Sequence, residues 1–103
     1  MKRALMMNVK DNVATALENV DAGTSTRVVL PSQEILKEVA PSQAVPFGHK
    51  IAIIGIKKGD KVIKYGEVIG NASQDIEVGD YVHVHNVKSN RMQMPDIWYR
   101  EEK

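Results

Sequence analysis

Residues 56–66 read IKKGDKVIKYG and residues 76–86 read IEVGDYVHVHN. Laid over one another they share Ile-x-x-Gly-Asp-x-Val, so Ile56, Gly59, Asp60 and Val62 match Ile76, Gly79, Asp80 and Val82. Each unit reads as an apolar anchor, a tight turn and a strand: glycine accepts positive φ, and aspartate closes turns onto its own backbone. Gly-Asp turns before strands are common, so the repeat alone is weak evidence. Short β-rich pieces with glycine between them surround it: HKIAIIGI, KVIKYG, EVIGNA and YVHVHN. From residue 47 onward the spacing predicts an all-β core built on two pseudo-symmetric turn-plus-strand units.

The two units differ in what they display. Of the three histidines in the chain, the second unit holds two, His83 and His85. On a strand they point the same way, about 7 Å apart. Their equivalents in the first unit are Ile63 and Tyr65, while Lys64 faces the opposite side. Two neutral imidazoles at this spacing can share one divalent ion if further ligands come from elsewhere, so His83 and His85 are candidate metal ligands as well as candidate catalytic groups. The plainer reading is a pair of solvent-facing polar residues on a half-buried strand. His49 and Lys50 follow Gly48 and can hold a carboxylate or phosphate, or be exposed residues after a turn glycine. Lys64 offers a cation for an anionic substrate or, if desolvated, a base; a solubilising residue on a wet strand face is the alternative. Asn86 can hydrogen-bond a ligand oxygen or close a strand end.

The rest of the chain is less informative. Val13, Ala16, Leu17 and Val20 recur at helical spacing behind Asp11 or Asn12 as a cap, which predicts one short helix. TRVVL, ended by Pro31, reads as a strand. Residues 32–46 fit helix and strand equally, with Pro31 and Pro41 as bounds. The tail after residue 88 is polar except for Met92, Met94, Ile97, Trp98 and Tyr99, a composition suited to docking on another chain, to packing back, or to partial disorder.

Length and charge narrow the function. A chain of 103 residues makes one modest core. Fourteen Lys and Arg nearly cancel 13 Asp and Glu, which argues against nucleic acid as a partner. The absence of cysteine excludes disulfides, a thiolate nucleophile and any Cys-ligated metal. No apolar run reaches transmembrane length and the N-terminal run is broken by Asn8 and Lys10, so no membrane association and a cytoplasmic location are expected.

Taken together, DNVATAL, GHKIAI, KVIKYGEVIG and I..GDYVHVHN resemble the small, antifreeze-like SAF domain of the altronate dehydratase family, over about residues 5 to 87. The resemblance implies a mostly β, β-clip fold of short strands with one or two short helices, an SAF domain at 1–88 and a C-terminal tail at 89–103. In that family the domain is an N-terminal segment or separate small subunit of sugar-acid dehydratases and of the related sulfolactate sulfo-lyase. The implied chemistry is elimination: a proton α to a carboxylate is removed and a β-leaving group departs, hydroxide or sulfite. A divalent metal, iron(II) or manganese(II), would act as Lewis acid in the assembled enzyme. Because the chain stops soon after VHVHN, it is expected to be inactive alone and to complete the active site of a large catalytic subunit. On this reading His83 and His85 face the shared site, His49, Lys50 and Lys64 contact the sugar acid, and Asn86 supports as a hydrogen-bond donor. A non-catalytic module binding a carbohydrate or partner is the alternative, and homo-oligomerisation is left open.

Overall fold

The structure, a computed structural model, describes residues 2–89. Nine strands form two sheets: β1 (Lys2–Leu5), β2 (Val13–Ala16), β3 (Thr26–Val29), β4 (Ile35–Val39), β5 (Lys50–Ala52), β6 (Lys61–Lys64), β7 (Glu67–Ala72), β8 (Tyr81–Val82) and β9 (Val87–Ser89). One sheet has six strands in the order β4-β3-β1-β2-β5-β8, the other three in the order β6-β7-β9. β1 and β3 run parallel, and the other paired strands antiparallel. The mostly β fold expected from the sequence is present. The short helix is not: the described residues contain no helix, and therefore none long and apolar enough to cross a membrane. The C-terminal tail from residue 90 lies outside the described residues.

The segment expected to be helical is β2, with β1 on one side and β5 on the other. Val13, Ala14 and Ala16 are all buried, so both faces of the strand are apolar and the two-residue alternation that marks a half-exposed strand is missing. Of residues 32–46, 35–39 form strand β4, at the edge of the sheet, with only Val39 of the strand buried.

The Ile-x-x-Gly-Asp repeat is real in the backbone, and the glycine turn it marks occurs four times. Gly23, Gly48, Gly59 and Gly79 have φ of 80°, 87°, 91° and 92°. In each unit the N–H of the next residue donates to the carbonyl two residues before the glycine: Thr24 to Asp21, His49 to Pro46, Asp60 to Lys57 and Asp80 to Glu77. That bond with positive φ at the third position marks a type II turn, which glycine forms without steric cost. The anchors pair across pseudo-twofold axes: Val20 with Val45, and Ile56 with Ile76, each exchanging two backbone hydrogen bonds.

Each turn glycine also donates to a distant strand end. Gly48 N–H meets Ala16 O, Gly59 meets Ala72 and Gly79 meets Ala52, and those alanines donate back to the carbonyls of His49, Asp60 and Asp80. In the first unit Gly23 donates to Pro41 O, and the return bond is absent because proline has no N–H. Thr26, Ile51, Val62 and Val82, three residues after the glycines, are all buried. Full burial of such valine or isoleucine side chains is worth about 1.5–3 kcal/mol each.

Two apolar clusters result. Ala4, Val28 and Ile51 belong to one, and Val13, Ile56, Val62, Ile76 and Val82 to the other. Asn12 ties the two sheets together: its side chain accepts from Ile63 N–H (2.7 Å) and donates to Lys61 O (2.8 Å), while its carbonyl accepts from Ile53 N–H. Asp11 accepts from Gly66 N–H at 2.7 Å and from the amides of Met7 and Asn8. This fixes the β6–β7 hairpin, whose central residues Tyr65 and Gly66 both have positive φ (57° and 79°), as a two-residue type I′ turn requires.

Candidate functional site

β5 and β8 lie side by side in register, Lys50 opposite Val82 and Ile51 opposite Tyr81. The strand expected to carry both histidines ends at Val82. Residues 83–86 form a turn, so the regular alternation invoked for His83 and His85 does not apply. Asn86 makes that turn. Its Oδ1 accepts from His83 N–H (3.0 Å), its Nδ2 donates to Tyr81 O (2.8 Å), and its own N–H donates to His83 O (3.1 Å). The residue is 3% exposed, and its side-chain amide both donates to and accepts from the backbone of its own turn.

The turn nevertheless gathers the rings. Tyr81 stacks on His83 with ring centroids 5.7 Å apart and planes within 5°. His85 approaches Tyr81 at 5.6 Å, and His49 lies 5.5 Å from Tyr81 and 5.0 Å from His83. The Tyr81 hydroxyl is 2.5 Å from His49 Nδ1. The three histidines of the chain therefore surround one phenol ring. Tyr81 is the member that sequence reasoning missed, because it is the turn at 83–86, and not strand alternation, that brings the rings around it.

The lysines extend the cluster. Burial, and then the charge of Lys64, hold the Lys50 ammonium below the ordinary lysine pKa. Partial burial, then His49, Lys50 and His85, hold the His83 imidazole below its ordinary value of 6.5. The charge of Lys64 thus acts on Lys50, and those of His49, Lys50 and His85 act on His83, and no carboxylate is among the groups that set either shift. Lys64 also lies 4.9 Å from the centroid of the exposed Tyr65 ring. Lys50 and His83 line a cleft of about 250 Å³ whose remaining wall is Ile69, Val84 and Val87. Like charges held together beside an open cleft favour an incoming anion, which relieves their repulsion.

The same residues do not form a metal site by themselves. Among the described residues no three His, Asp or Glu side chains are placed to hold one ion. His49 Nδ1 is also engaged by Tyr81. A divalent metal would need ligands from beyond this cluster.

Comparison with known proteins agrees with this frame. The family model described as the altronate/galactarate dehydratase SAF domain matches residues 2–90. The chain is 39% identical over 90 residues to an altronate dehydratase of Bacillus subtilis, covering 87% of this chain and 17% of that protein. It is 36% identical over 98 residues to an altronate dehydratase of Escherichia coli, covering 95% and 19%. It thus spans under a fifth of the length of these dehydratases. With a (2R)-sulfolactate sulfo-lyase subunit alpha of Chromohalobacter salexigens it is 39% identical over 75 residues, covering 73% of this chain and 80% of that subunit. With its glycine-turn frame and its match from residue 2 to residue 90, the chain belongs to the SAF-domain family of the altronate and galactarate dehydratases.

Proposed function

We propose that this chain is the small subunit of a sugar-acid hydro-lyase, contributing a cationic wall to an active site that a large catalytic chain completes. The observation that carries the reading is the pairing of Lys50 and His83 in the wall of one cleft, with His49 and His85 packed around the same tyrosine ring and no carboxylate among the groups that act on Lys50 and His83. Such a wall suits the carboxylate of a hydroxy acid. Lys50 and Lys64 hold the acid group, and stabilise the negative charge that builds on it when the α-proton leaves. His83, kept neutral, can accept a proton, and His85 stands beside the same ring as a second proton-handling group. Asn86 acts through the turn, by holding His83 where Tyr81 stacks on it. The divalent metal is assigned to the large chain. The setting is cytoplasmic.

A second reading is favoured by a separate observation. The sulfo-lyase subunit alpha relative is itself one subunit, and the match covers most of its length. In that case the same wall holds a sulfolactate-like acid, and sulfite leaves in place of hydroxide. The two readings are separated by combining the chain with its large partner and assaying altronate, galactarate and sulfolactate. Loss of water from a sugar acid supports the first, release of sulfite supports the second, and no turnover of any of them argues for a non-catalytic module that binds a carbohydrate or partner protein.

A further inference from the structure

We propose that Tyr81 is a positioning residue that makes two neighbouring imidazoles unequal: its hydroxyl donates to His49 Nδ1, leaving His49 with its proton on Nε2 as a hydrogen-bond donor, while His83, stacked on the same ring, is the acceptor. This deepens the proposed function, on which its catalytic meaning rests.

The argument begins with the contact between the Tyr81 hydroxyl and His49 Nδ1. Either partner could donate in principle, but a phenol is a far stronger acid than a neutral imidazole N–H. The phenol is therefore the better donor and the unprotonated Nδ1 the better acceptor. Which ring nitrogen carries the proton is set by the partner of the other one, so the hydroxyl selects the Nε2–H form of His49.

His83 receives the opposite treatment. Its ring lies parallel to Tyr81 at 5.7 Å and lines the cleft. The groups that face it are His49 and Lys50 from the β5 side, Tyr81 from β8 and His85 from its own turn. Ile69 and Val87, from the second sheet, bring no charge to the cleft. The two imidazoles are 5.0 Å apart, so the hydroxyl that fixes one ring lies beside the other. A hydrogen-bond donor and an acceptor of the same residue type are separated in this way by one phenol.

Nitrogen-15 correlation spectra of the three imidazoles in the isolated chain test the assignment without any substrate. His49 should show an unprotonated, hydrogen-bonded Nδ1 and a protonated Nε2 above neutral pH; a proton on Nδ1 would overturn the proposal. In Tyr81→Phe, which removes only the hydroxyl, the Nδ1 signal should move to that of a free lone pair. An unchanged signal would count against the contact. The wild-type spectrum decides the tautomer even if that variant folds poorly. With the large chain present, Tyr81→Phe should shift the pH–rate profile and lower kcat more than it alters KM. If the spectra agree but wild-type protein turns over no hydroxy acid, the hydrogen-bonding assignment stands and the hydro-lyase reading fails.

Discussion

The units at 56–66 and 76–86 share a backbone and almost nothing else. Both place a glycine near φ 90°, both bury the valine three residues later, and their isoleucines pair with each other. Beyond that valine they part. The first continues as β6 into a hairpin whose Tyr65-Gly66 corner is held from outside by Asp11. The second stops at Val82 and folds into a turn held from within by Asn86. The shared half meets a backbone demand, positive φ and a buried anchor, that few residue types satisfy. The divergent half meets no such demand and is free to carry chemistry.

The comparison is sharpest at the glycines. A Cβ on Gly59 would meet nothing within 4 Å, whereas one on Gly79 would lie 2.6 Å from Ala40 O. Gly59→Ala therefore bears the positive-φ cost alone, about 1–2 kcal/mol. Gly79→Ala adds a backbone clash and should cost well beyond that, enough to unfold a marginal domain. Urea denaturation of the two variants ranks them; equal losses would mean that the units are not packed as described.

Next come the two asparagines that lock the divergent halves. Asn12→Ala and Asn86→Ala each remove one donor and one acceptor from buried backbone partners and should each cost about 1–3 kcal/mol in urea melts. Only Asn86→Ala should also disturb the imidazole resonances of His83 and His85. If Asn12→Ala moved them as much, the ring cluster would not depend on its own turn.

The smallest effect is on pH dependence. His83 is held below 6.5 in the folded chain, so the unfolded chain binds its proton more readily. Stability from this group is fully present above about pH 6.5 and is lost as pH falls through the lower folded value. His83→Gln should flatten that acid-side slope in thermal melts recorded between pH 5 and 8. A slope unchanged by the substitution would place its origin elsewhere.

This division also explains what could be read from the sequence. The 56–66 and 76–86 repeat was visible because both units carry Gly-Asp, but the units at Val20 and Val45 use Thr24 and His49 at the aspartate position and escaped notice. The turn needs only the glycine; the aspartate is an addition of two copies, and in the second Asp80 Oδ2 accepts from Glu77 N–H. The helix expected from Val13 to Val20 failed because residues 13–16 lie in mid-sheet, where burial of both faces erases alternation, and Val20 belongs to the next anchor. At the site, motif placement drew attention to His49, Lys50, Lys64, His83 and His85, which the fold brings together. The role of Asn86 was hidden, because an amide committed to its own turn looks in sequence like one offered to a ligand.

The central claim is that the polar half of the second unit handles the proton, while its sister contributes only Lys64, as a contact for the acid group. The most direct test is turnover by the chain combined with its large partner, with His83→Gln compared against a Lys57→Met, Lys58→Met pair in the first unit. His83→Gln should lower kcat by about 100-fold or more while leaving assembly intact, as expected for loss of a group that handles a proton, and the lysine pair should leave kcat unchanged. Full activity in His83→Gln, or an equal loss in the lysine pair, would contradict the account.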